Sequence, residues 1–266
     1  MARVYLSVDM EGLAGVALRE QISRHIGGRQ YQQGRRLVMA EVNAAVAGAF
    51  DGGATDVIVH DNHGSSMNMI VEQLDPRAYV YMGNLPYPQH AVLEPDIDLY
   101  FCLGYHAAQG RLHAFRDHTV SSSRWSDVWL NNVAIGELGL SAACAGVYGI
   151  PVGLVVGDDK LCAEARTLLG PEVEVVPVKT GLGRHAARLL PSSDQHARIH
   201  KAAALAVRQG QTVPPLVFAP PYELCLQYTS PEYADAHACD GVRSVRRNGT
   251  TVCYRGDNLI ELVGRM

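Results

Sequence analysis

The chain has 266 residues, is 47% hydrophobic, and carries 23 basic and 27 acidic side chains for a net charge of −4. That is enough for one large domain, or one and a half, with a full core. Its only basic grouping, Arg243, Arg246 and Arg247, argues against a nucleic-acid partner, and no apolar run is long enough to span a bilayer. The N-terminus enters a strand directly, with no charged and apolar leader, so a soluble, cytoplasmic protein is expected. The six cysteines (102, 144, 162, 225, 239 and 253) form no C-x-x-C pair, and several lie in apolar runs. They read as small core residues rather than a disulfide framework, and none sits in a recognisable nucleophile setting.

Val4, Tyr5, Leu6 and Val8 predict a buried first strand that runs out at Asp9-Met10-Glu11-Gly12. In open α/β sheets ligands bind beyond the carboxyl ends of strands, which puts both acids where chemistry is expected. Two acids so close repel unless a cation or a shared proton offsets them. A Gly- and Arg-rich loop follows, then a helix from about Tyr31 to Phe50 stopped by Gly52 and Gly53. Val57-Ile58-Val59 is a second strand, ending at His60-Asp61-Asn62-His63. A short helix is predicted over Met67–Leu74, a third strand over Tyr79–Met82, and a fourth over Leu99–Leu103 ending at Gly104-Tyr105-His106.

Ile135–Tyr148 predicts a helix with small residues on one face, and Val152–Val156 a fifth strand that stops at Gly157-Asp158-Asp159. A further short helix and the strand Val173–Val178 follow. This alternation predicts an α/β fold, a mostly parallel sheet with helices on both faces, over residues 1–180. From 181 to 266 the character changes to a smaller α+β lobe. An Ala-rich helix over Ser193–Gln209 precedes a Pro-rich stretch and the strands Glu223–Tyr228, Ser244–Arg247 and Thr250–Tyr254, the last two joined at Asn248-Gly249.

Three strand ends thus carry metal-ligand chemistry: Asp9 and Glu11, then His60, Asp61 and His63, then His106. Carboxylates mixed with imidazoles suit Zn, Mn or Co rather than Mg or Ca. His63 lies past its strand and can reach the crevice, so it is favoured as a ligand over His60, which follows directly on the strand. Asp61 is placed to orient an imidazole. Asp117-His118-Thr119 is either a polar surface loop or an acid/base segment over the site, which spacing does not decide. Glu137 sits among apolar and small residues, where burial demands a partner that a metal would supply; the alternative is an exposed helical glutamate.

These segments resemble the M55 D-aminopeptidases, a family of dinuclear zinc peptidases. The likeness is carried by Ser7-Val8-Asp9-Met10-Glu11-Gly12, Asp61-Asn62-His63-Gly64-Ser65, Leu103-Gly104-Tyr105-His106-Ala107, Asp117-His118-Thr119 and Gly136-Glu137-Leu138-Gly139-Leu140. Val156-Gly157-Asp158-Asp159 and Val178-Lys179 also match; the C-terminal third matches only by strand pattern and Gly249-Thr250-Thr251-Val252. The resemblance implies two zinc ions bridged by Asp9, with Glu11, His63, His106 and Glu137 completing the shells and His118 as the catalytic histidine. It implies hydrolysis of the N-terminal residue of short peptides, D-residues included, and a homo-oligomer in the form of a decameric ring. Asp61, Asp117 and Asp158 are candidates for holding the substrate amine.

Two other readings compete. A two-metal phosphodiesterase or exonuclease also begins with Asp-x-Glu on a first strand, but it needs further aspartates holding Mg and a basic track for its substrate. Here the later positions are histidines and the net charge is negative. A non-catalytic small-molecule-binding α/β module does not require so many convergent ligands.

Overall fold

A computed structural model, describing residues 2–85, 88, 90–91, 96–237 and 239–266, places the N-terminal strand inside a seven-stranded sheet. In chain order the elements are β1 (Ala2–Val8), α1 (Gly28–Gly52), β2 (Ala54–Asp61), β3 (Tyr79–Tyr81), β4 (Leu99–Tyr105), β5 (Trp125–Leu130), β6 (Val133–Ala134), α2 (Glu137–Gly146) and β7 (Val152–Asp158). They continue with α3 (Asp159–Leu169), β8 (Glu174–Gly183), β9 (Ala186–Leu189), α4 (Ser192–Gln209), β10 (Tyr222–Tyr228), α5 (Pro231–Asp235), β11 (Ser244–Arg246), β12 (Thr251–Gly256) and α6 (Leu259–Val263).

The large sheet runs β3-β2-β1-β4-β7-β8-β9, parallel except for the last pair. Its strand order reverses between β1 and β4, the place where a crevice opens at the carboxyl edge. Register fixes what meets there: Val8 lies opposite Asp61 on one side and Leu103 on the other. Residues just past these three positions therefore leave the sheet side by side.

Side chains alternate across the sheet, as a pleated strand requires. Val4, Leu6 and Val8 join one core with Val42, Val46 and Ala49 of α1 and Ile199 and Ala203 of α4. Tyr5 points the other way, into a core with Leu138 and Ala142 of α2 and Leu161 and Ala165 of α3. Helices thus cover both faces, as the composition of the strands predicts. The crossing of α1 and α4 is close because Gly48 has no side chain; a Cβ there would stand 2.2 Å from the carbonyl oxygen of His200.

A second, antiparallel sheet runs β11-β12-β10-β5-β6. The division at residue 180 expected from the sequence does not coincide with the sheets: β5 and β6 come from residues 125–134, while β9 and α4 pack with the parallel sheet. Cys225 and Cys253 face each other on β10 and β12 and are joined by a disulfide, which corrects the expectation that both are plain core residues. Residues 67–74 form no regular helix beyond one tight turn at Val71–Gln73. The reason is local: the Asp61 carboxylate accepts from the Asn68 and Met69 amides, and Arg35 donates to their carbonyls at 2.9 and 2.6 Å. Among the described residues no helix is long and apolar enough to cross a membrane.

The loop after β1 is held from below. Lys179, buried in the middle of β8, donates from Nζ to the carbonyls of Glu11, Leu13 and Val16 at 2.5, 2.9 and 2.8 Å, and lies 4.3 Å from the centre of the Phe115 ring. Three acceptors need three N–H donors, which only the ammonium form supplies, although burial pushes its pKa down to about 7. Glu41 of α1 holds the same loop through the Ala14 amide at 2.6 Å. Gly12 lets the loop lie against β4, where a Cβ would come within 1.9 Å of the Tyr105 carbonyl oxygen. Replacing Lys179 with Met removes a donor from three carbonyls, of which only that of Leu13 keeps another, the Val16 amide at 3.2 Å, and unfolding free energy in urea is expected to fall by about 3 kcal/mol or more. An unchanged urea midpoint would show that the loop does not depend on this ammonium.

Candidate metal centre

Asp9 lies one residue past β1, and its two carboxylate oxygens face opposite ways. Oδ1 is 2.7 Å from His63 Nδ1, and Oδ2 is 3.5 Å from His106 Nε2. The Met10 amide donates to Oδ1 at 2.9 Å and fixes the carboxylate plane. Glu11 Oε2 is 3.1 Å from His63 Nδ1. Glu137, the first residue of α2, is 3.2 Å from His106 Nε2 and 3.7 Å from His118 Nε2, and accepts the Val120 amide at 2.7 Å. The rings of His106 and His118 stack 3.9 Å apart and nearly parallel. All six residues named from the sequence therefore converge on one pocket at the switch point of the sheet.

The three imidazoles share one arrangement. His63 Nε2 donates to the Ile22 carbonyl at 2.8 Å, His106 Nδ1 to Ala107 at 3.1 Å, and His118 Nδ1 to Arg116 at 2.7 Å. A carbonyl accepts only, so each pairing fixes the proton on that nitrogen and turns the opposite nitrogen toward the carboxylates. Glu11 Oε2 and His106 Nε2 are buried and make no well-directed hydrogen bond. Ligand atoms of Asp9, Glu11 and His106 all lie within 4.8 Å of one another, and so do those of His106, His118 and Glu137. Orphaned acceptors and turned nitrogens around a carboxylate cluster fit divalent cations of the Zn, Mn or Co type.

The protonation of the cluster without a cation points the same way. Burial, then the neighbouring Glu11 charge, raises the Asp9 carboxyl to about 7. Burial opposes charge on His63 and His106, yet the surrounding carboxylates overrule it. His63 is held well above its usual range and His106 is raised to about 10. Burial also disfavours ionised Glu11 and Glu137, but the imidazoles beside them hold both carboxyls below their usual range. His118 differs: burial and the nearby His106 push it down, toward the neutral ring.

Other residues singled out in the sequence have structural duties. His60 is buried beside the Tyr5 hydroxyl, 3.0 Å from its Nδ1, and burial lowers its pKa to about 4. Asp61 shapes the turn at 68–69 rather than touching an imidazole; Asn68 in turn donates to the His63 carbonyl at 2.7 Å. Asp117 accepts the Gly110 amide and pairs with Arg184, and Asp158 caps α3 and accepts the Phe115 amide at 2.8 Å. All three proposed amine-binding aspartates are thus engaged with backbone or arginine.

Sequence reasoning missed the wall beside the centre. A cleft of about 490 Å³ is lined by Glu11, His63 and His118 together with Arg19, Arg24 and Arg116. It also missed the buried set below, where the Tyr105 hydroxyl meets Ser7 Oγ at 2.7 Å, Asn62 Nδ2 at 3.1 Å and Ser141 Oγ at 3.0 Å. In the sequence Lys179 stands out only as part of the matching pair Val178-Lys179, with no role attached to it.

A family model described as D-aminopeptidase, the M55 peptidases, matches residues 2–266. The chain is 30% identical over 262 residues to a D-aminopeptidase of Bacillus subtilis (strain 168), covering 97% of this chain and 93% of that one. Its fold superposes with a TM-score of 0.91 on a solved structure described as a Zn-dependent D-aminopeptidase, DppA, from Bacillus subtilis, a self-compartmentalizing protease. That pair is 29% identical and covers 98% of this chain and 94% of the other.

Replacing His106 or Glu11 with Ala is expected to abolish divalent-metal binding, read by elemental analysis of the purified protein; full metal content in either variant would remove that residue from the ligand set. A cation held by His63 and His106 would displace their protons, so affinity is expected to rise with pH toward the value of about 10 held by His106. Chelator competition between about pH 6 and 9 tests the sign, with roughly tenfold per unit for each proton displaced.

Proposed function

The chain belongs to the M55 peptidase family, and from that premise we propose that it is a zinc-dependent aminopeptidase removing the N-terminal residue of short peptides or amides, D-residues included. The observation that carries this reading is the Asp9 carboxylate, whose two oxygens face His63 on one side and His106 on the other. Asp9 would bridge two ions, with Glu11 and His63 on one side and His106 and Glu137 on the other; manganese or cobalt suits the same donors. When bound, such a pair supplies Lewis acidity, lowering the pKa of coordinated water toward about 7 and polarising a carbonyl.

The chain's own groups do the rest. Glu11, His63 and His118 line the cleft, so a peptide carbonyl held there lies beside all three. His118 Nδ1 is pinned to the Arg116 carbonyl, which leaves Nε2 for the reacting atoms. Burial keeps this ring neutral at rest, the state that takes up a proton as the tetrahedral centre forms. The same nitrogen then delivers the proton to the leaving amine. Three imidazoles at the centre, against a net charge of −4, disfavour a magnesium phosphodiesterase. A homo-oligomeric assembly, a decameric ring in the cytoplasm, completes the reading; the Bacillus subtilis relative is described as self-compartmentalizing.

His118→Ala is expected to lower kcat by about 100- to 10,000-fold with two zinc ions retained. Loss of zinc in that variant would make His118 a ligand instead. Paired D- and L-alanine amides decide the stereochemistry: faster hydrolysis of the D form is expected, and cleavage of the L form alone would refute the D assignment.

A further inference from the structure

We propose that the arginine wall of the cleft, Arg116 foremost, binds a carboxylate on the leaving-group side of the scissile bond, so that the preferred substrates are short peptides negatively charged just beyond the cleaved bond. This rests on the peptidase reading above. Arg19, Arg24 and Arg116 line the same cleft as Glu11, His63 and His118. The fourth arginine there, Arg184, is paired with Asp117 at 3.0 Å. The other three have no carboxylate within ion-pair distance among the described residues. Arg24 rests on Met67 Sδ at 3.0 Å, and Arg116 on His185 Nδ1 at 3.4 Å.

Guanidinium groups gathered on one wall repel each other until an anion arrives. Burial, with Arg19 and Arg184 adding to it, already lowers the Arg116 pKa, while Glu11 and Glu20 work the other way. Neither carboxylate lies within ion-pair distance of Arg19, Arg24 or Arg116 among the described residues, and Glu11 belongs to the metal site, so the anion that completes the wall comes from outside. A guanidinium fork matches a carboxylate with two parallel hydrogen bonds. The polarity of binding follows as well: a cationic α-amine is repelled from this wall, so the amino end lies away from it and the carboxyl end toward it.

The placement of Arg116 is built. It is a non-glycine residue with φ of +53°, a conformation disfavoured for L-residues and retained where the surroundings enforce it. Its amide donates to the Arg184 carbonyl at 3.0 Å and its carbonyl holds His118 at 2.7 Å. The carboxylate-reading group and the proton-carrying ring are therefore set by one short segment.

The test compares kcat/KM of the zinc-loaded enzyme and of Arg116→Met and Arg116→Lys on three probes: D-alanyl-D-alanine, its C-terminal amide, and the amide of D-alanyl-D-aspartate. The wild type is expected to favour the free acid over its amide by roughly 10- to 100-fold, with most of that ratio lost in Arg116→Met and part retained in Arg116→Lys. If the aspartyl amide matches the amidated alanine peptide, the C-terminal carboxylate is the group read; if it matches the free acid, any carboxylate on that side serves. A disturbed His118 would lower all three rates together and leave the ratio unchanged, and that result, or equal rates in the wild type, overturns the subsite. Absence of hydrolysis on all three probes overturns the peptidase reading, and the subsite with it.

Discussion

The loop between β1 and α1 is the constraint on which the candidate centre depends. It carries Asp9 and Glu11 just past the sheet, where no strand or helix orders the backbone between residues 9 and 18, while Met10, Leu13, Ala14 and Val16 sink into the core below. Burying a lysine ammonium is costly in an apolar interior. Here the cost is offset because the ammonium replaces its lost water with three carbonyl oxygens and a ring face. What results is a carboxylate pair anchored at its own backbone. Glu11 is held by its carbonyl on one side and offers its carboxylate on the other.

The same economy organises the imidazoles. His63, His106 and His118 come from different segments, yet each spends one nitrogen on a backbone carbonyl and turns the other toward the acids. Tautomer and orientation are thereby chosen by the main chain. Because those carbonyls belong to the loops themselves, the centre is organised before any cation enters. A preorganised cluster of this kind loses little order on binding, which favours tight and specific uptake.

Much of this was legible in the sequence because polar residues interrupt apolar strands abruptly. Val8 to Asp9 and Tyr105 to His106 are such changes at strand ends, and parallel pairing brings those ends together, whereas His60 lies inside β2. Glu137 stood out because it opens a helix that is otherwise buried throughout. What stayed hidden depends on partners far away along the chain. β5 pairs with β10 across nearly a hundred residues, and Trp125-Ser126-Asp127-Val128 carries no strong strand pattern without that partner. The Cys225–Cys253 bond follows from the register of β10 on β12, which spacing alone does not reveal. The arginines of the cleft were obscured because Arg19 and Arg24 lie in the loop between β1 and α1 and Arg116 in the distant one between β4 and β5, each ordinary in isolation.

The path of the chain from His118 to Glu137 passes through β5 and β6, and β5 is sandwiched against β10 in the second sheet. The two ends of that excursion stand 3.7 Å apart at the centre. The segment spanning them finds its partner strand only in residues 222–228, nearly a hundred residues further on. The stretch that links two groups of the centre is thus braced by a strand from the far end of the chain.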